Sequence, residues 1–113
     1  MAMFAIAVPI LQGKTETFER FIGELKGARF AEFQASRKRL EVRERTFFQK
    51  TPMGDFVVVT LEGSDPSGAF QKFAAGNDAF TQWFAKQVKE IHGFDLTAPP
   101  PGPLPELIVD SAG

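Results

Sequence analysis

His92 is the only imidazole in a chain of 113 residues that has neither cysteine nor tyrosine. It is therefore the one side chain whose ordinary pKa lies close to neutrality, and the natural candidate for a proton acceptor. It stands in "EIHG", at the end of a helical pattern. There the free carbonyls and the negative end of the helix dipole also favour a hydrogen-bonding or cationic residue for purely structural reasons. With no thiol, neither thiol catalysis nor a Cys-based zinc site is available. No second histidine or clustered carboxylate set supplies ligand spacing, so no metal site is expected. Ser111 and Asp110 stand close together in "VDSAG", but without a neighbouring base they make no hydrolytic triad. "GKT" at 13–15 resembles the end of a phosphate-binding loop, yet the glycine that loop requires would fall on Val8.

The other chemistry-bearing residues lie in "VRERTFFQKTPMGDFVVVTLEG", Val42 to Gly63. Two strand-like runs flank the turn "TPMGD". If Lys50 pairs with Asp55, then Phe48, Thr46 and Glu44 face Val57, Val59 and Leu61. The alternate face carries Phe47, Phe56 and Val58, with Arg43, Arg45, Thr60 and Glu62 at one end. A slip of one residue would exchange the two faces. An apolar floor with a polar cluster at its end suits a small, mostly apolar or aromatic ligand with one polar group. In that role Phe47 and Phe56 supply contact while Arg43, Arg45, Thr60 and Glu62 orient the ligand. The same pattern also suits cross-strand ion pairs or contacts with a second chain.

Around these residues the elements alternate. "MFAIAVPI" is apolar on both faces, as a covered strand is. Thr15 reads as the N-cap of a helix carrying Phe18, Phe21, Ile22 and Leu25, with a second helical piece over 28–40 after a bend. Asp65 followed by Pro66 begins a short helix. A longer helix follows Asn77 or Asp78 and carries Phe80, Trp83, Phe84, Val88 and Ile91 to a C-cap at Gly93. "TAPPPGP" is a stiff connector over 98–104, and Glu106 to Val109 reads as a last strand. Residues 1–113 thus form one domain of β-α-β-β-α-β order. The expected fold is α+β and ferredoxin-like: a four-stranded antiparallel sheet, order 4-1-3-2, with its helices on one face. Strands apolar on both sides need a cover for the second face, and a second copy of the chain is the simplest.

A formal net charge of −1 offers no footprint for nucleic acid. The basic residues Arg37, Lys38, Arg39, Arg43 and Arg45, interrupted by Glu41 and Glu44, read as a solvated helix end. The apolar N-terminus is too short to span a bilayer and lacks a signal-peptide pattern, so no membrane partner and a cytoplasmic location are expected.

Three strings, "VRERTFFQKTPMGDFVVV", "FTQWFAKQVKEIHGFDL" and "PELIVDS", carry a resemblance that runs from about Met3 to Ser111. The chain resembles the dimeric α/β-barrel group of ferredoxin-like proteins. More narrowly, it is similar to a small uncharacterised bacterial subgroup related to cofactor-free monooxygenases. The resemblance implies a homodimer whose sheets enclose a cavity, with a cofactor-independent monooxygenase or isomerase among the activities it allows and no cofactor. The alternatives are a non-catalytic dimeric binding or stress-related protein and, third, a haem-binding one. The haem-degrading branch uses an Asn on the first strand, a Trp and a His. Here Trp83 and His92 are present, but Ala5 and Ala7 occupy the strand positions and Trp83 falls on a helix.

Overall fold

In a computed structural model, which describes residues 2–98 and 103–113, three strands and four helices follow one another. They are β1 (Ala2–Pro9), α1 (Thr15–Lys26), α2 (Phe30–Arg39), β2 (Val42–Thr51), β3 (Gly54–Gly63), α3 (Pro66–Ala74) and α4 (Ala79–His92). The sheet is antiparallel, in the order β1-β3-β2.

The hairpin sets the register on which everything else depends. Thr51 pairs with Gly54 across Pro52 and Met53. The Thr51 hydroxyl donates to Gly54 O at 2.7 Å and accepts from Met53 N at 3.1 Å, closing the turn. Gly54 has φ +124°, a conformation open to glycine alone. Lys50 pairs with Asp55, Phe48 with Val57, Thr46 with Val59 and Glu44 with Leu61, the register expected from the sequence. On the other side Phe4 pairs with Leu61 and Val8 with Val57. Period two then places Phe4, Val57 and Leu61 in the core.

The helices cover that one face, and their apolar stripes account for it. Phe18, Phe21 and Leu25 of α1 and Phe80, Phe84 and Ile91 of α4 are buried, and Phe73 of α3 joins them. Phe84 is the hub: the rings of Phe21, Phe73 and Phe80 meet it tilted or edge-on at 5.1–5.9 Å, while Phe33 stacks on it at 6.5 Å. Such pairs contribute about 0.5–1.5 kcal/mol each beyond simple burial. Trp83 is half-buried between Phe21 and Phe80, with the Arg29 guanidinium 4.2 Å above its ring. Asp65 caps α3 by accepting from Gly68 N, with Pro66 in the first turn. Asp78 caps α4 by accepting from Thr81 N, and Gly93 ends α4 in the left-handed conformation. At α1 the cap position is Lys14 rather than Thr15, because Thr15 turns its hydroxyl to Asp55 Oδ2 at 2.7 Å and ties the helix to β3.

The expected fourth strand is absent from this sheet. The four-stranded 4-1-3-2 arrangement is therefore replaced by a three-stranded α+β fold. Glu106 to Val109 has no regular secondary structure, and Leu107, Ile108 and Val109 are 73, 81 and 81 % exposed. Strand propensity measures fit to a pleated, half-buried surface, and in the single chain no such surface receives these side chains. Residues 99–102 of the connector expected over 98–104 lie outside the described residues. Among the described residues no helix is long and apolar enough to cross a membrane.

Candidate functional site

Sheet and helices do not close completely on one another. Between them lies a cavity of about 120 Å³ whose walls are overwhelmingly apolar. Phe4, Ile6 and Val8 of β1 and Val57, Val59 and Leu61 of β3 form the sheet side. Phe18, Phe21, Phe73 and Phe84 supply aromatic surface from the helices. Four residues bring polar groups to this lining: Arg37, Glu44, Thr46 and His92.

Arg37, Glu44 and Thr46 form one group. Arg37 leaves the last turn of α2 and donates from Nε to Glu44 Oε1 at 2.7 Å and from Nη1 to Ser36 Oγ at 2.9 Å. The Thr46 hydroxyl donates to Glu44 Oε2 at 3.2 Å. The guanidinium also lies 4.6–4.8 Å from the ring centres of Phe33, Phe73 and Phe84. A planar cation suits this cage because it stacks on aromatic faces while its edge donates. Among the described residues no buried side-chain nitrogen or oxygen lacks a partner.

His92 is held at the other end. Leu11 N donates to Ile91 O at 2.8 Å, fastening the exit from β1 to the last turn of α4. His92 Nδ1 then lies 2.8 Å from Pro9 O. A carbonyl oxygen can only accept, so Nδ1 carries the proton and Nε2 is left as the acceptor of the neutral ring. Burial holds the imidazole below its usual 6.5, and the bond to Pro9 O opposes that shift in part. At neutral pH the ring is therefore a base with a fixed tautomer beside an apolar cavity. Pro9 pairs with Phe56 and Glu44 with Leu61, so the two polar groups are anchored five residues apart along β3. That is roughly 17 Å of strand.

The remaining sequence candidates sit on the opposite face of the sheet. Phe47 is 53 % exposed, Arg43 and Arg45 are exposed, and Phe56, Thr60 and Glu62 are half-buried. None of them lines the helix-side cavity. Arg43 stands opposite Glu62 in the register, but the ion pair runs diagonally, from Arg45 Nη2 to Glu62 Oε1 at 3.7 Å. The structure thus groups Arg43, Arg45, Thr60 and Glu62 as expected while separating them from His92.

Arg37 was expected on a solvated helix end, and it is buried. The period of two gives the signal that finds it. Glu44 shares a face with Thr46 and with the strand positions that meet Val57, Val59 and Leu61. A carboxylate on the helix-facing side needs a cation from a helix, and α2 ends with Arg37 just before β2 begins.

No protein-family model, no curated protein and no solved structure matches this chain.

Proposed function

We propose that the chain is a homodimer that binds a small, mostly apolar molecule in the cavity between its sheet and helices. The carrying observation is the conjunction of that cavity, about 120 Å³ and lined by aromatic and aliphatic groups, with His92 among its lining residues and held by Pro9 O in the tautomer that leaves Nε2 as acceptor. Proton acceptance from a bound acid by Nε2 is the first step shared by an isomerase and a cofactor-independent monooxygenase-like enzyme. In the first the proton returns at another atom; in the second the anion meets dioxygen as co-substrate.

The exposed sheet face supports the dimer. Met3 is 60 % exposed and Phe47 53 %, with Ala5, Ala7, Phe56 and Val58 between or beside them. A second sheet laid across this face removes apolar surface from water and leaves Arg43, Arg45, Thr60 and Glu62 at its margin. In this reading those residues orient the partner's sheet.

The test is a panel of small aromatic and aliphatic molecules scored by the rise in melting temperature. Stabilisation by at least one member, with light scattering at twice the chain mass, is the expected result. A panel without effect on the chain overturns the binding function.

A non-catalytic binding or stress-related dimer is the second reading. The observation favouring it is that Arg37 and Glu44 are already satisfied by Ser36, Thr46 and one another. Measured turnover with any ligand that binds would exclude it. Haem does not fit: a cavity of about 120 Å³ is far too small for a macrocycle, even by comparison with the roughly 300 Å³ at which pockets for drug-sized ligands begin.

A further inference from the structure

Resting on that binding function, the geometry points to the class of ligand: a monocyclic aromatic molecule that donates a hydrogen bond, a simple phenol, with its hydroxyl on His92 Nε2. Size comes first. A dry apolar cavity of about 150 Å³ holds benzene; at about 120 Å³ this one approaches that size, so a single ring is the upper limit, taken up with a small outward shift of the walls, and fused systems are excluded. The rings of Phe18, Phe21 and Phe84 offer the edges and faces that another aromatic ring packs against.

Polarity then selects the substituent. At the Arg37 end, Nε and Nη1 are engaged by Glu44 and Ser36 and both Glu44 oxygens already accept, so this end keeps only the donor Nη2, on a guanidinium stacked among Phe33, Phe73 and Phe84. At the His92 end, the bond to Pro9 O commits Nδ1 as donor. What the imidazole has left to offer is an acceptor. A hydroxyl satisfies it, whereas an ether or a methyl group in the same place strips its water and returns nothing. The site should therefore rank phenol above toluene and anisole, against the order of their hydrophobicity.

Calorimetric titration of the intact protein at pH 8 with phenol, toluene and anisole reads this directly. At that pH both phenol, whose pKa is about 10 as for tyrosine, and His92 are neutral. Wild-type protein should bind phenol about threefold to tenfold tighter than toluene, the range of one net hydrogen bond. The His92→Phe variant, which keeps a ring but loses the acceptor, should erase the preference. Because the chain has one histidine, its ring-nitrogen NMR signals need no assignment and serve as a second readout independent of any variant. The Nε2 resonance should shift with phenol and stay with toluene. Equal binding of the three compounds, or a phenol preference that survives in His92→Phe, or an Nε2 signal indifferent to phenol, overturns the assignment while leaving the cavity as an apolar binding site. Failure of all three compounds to bind overturns the assignment; the binding function falls with it only if the aliphatic members of the wider panel also leave the melting temperature unchanged.

Discussion

The Arg37 guanidinium donates to the Glu44 carboxylate at 2.7 Å beneath the sheet, with neither side chain more than a tenth exposed. A buried pair of this kind adds little net stability over apolar residues of the same volume. Breaking it leaves an uncompensated charge in a low-dielectric space.

Glu44→Ala and Arg37→Ala should therefore each lower the unfolding free energy by about 3–5 kcal/mol. Replacing both by apolar residues should recover most of the loss. Urea unfolding of the two single variants and the double one measures this, and strict additivity would show that the pair is not coupled.

His92 gives stability a pH dependence of definite sign. Its folded pKa is depressed below 6.5, chiefly by burial. Well above pH 6.5 the ring is neutral in both states and its full contribution is present. As the pH falls, the unfolded chain takes up the proton first, so stability declines until the folded ring is protonated as well. Denaturation midpoints between pH 8 and pH 5 should fall more steeply for wild type than for His92→Gln, which keeps a donor for Pro9 O and does not titrate.

Arg45 and Glu62, at 3.7 Å with side chains 49 and 36 % exposed, form a solvent-screened pair. Arg45→Ala should cost less than about 1 kcal/mol and leave the affinity of the helix-side cavity unchanged. Equilibrium unfolding and ligand titration of the same variant check both statements.

Phe47 lies in the exposed face proposed for the dimer. A two-fold interface repeats each substitution on both copies, so Phe47→Glu should bury two carboxylates and drive the protein to monomer without unfolding it. Light scattering together with circular dichroism separates those outcomes.

Much of this was legible in the sequence because it depends on local rules. Asp65-Pro66, Asp78 and Gly93 announce helix ends through their own backbone chemistry, and alternation on either side of "TPMG" groups the hairpin residues into two faces, the turn then deciding which one meets the helices. The corrections at Thr15, at Arg37 and at the expected last strand all turn on a partner from another element, which local pattern does not name. Leu107 to Val109 has the composition of a strand, but a strand exists only where another accepts its hydrogen bonds, and composition does not name one. Arg37 looks like its solvated neighbours Lys38 and Arg39 until the helix-facing position of Glu44 is taken into account. His92 was identifiable as a base by its uniqueness, whereas its tautomer depends on Pro9, 83 residues away in the chain.

The most direct measurement is a crystal structure of the protein grown with a small aromatic ligand. The account predicts density for the ligand between sheet and helices, bounded by Val57 and Phe84 and in contact with His92. A collapsed, ligand-free interior, or ligand found instead against Phe47 and Arg45 on the outer sheet face, would contradict it.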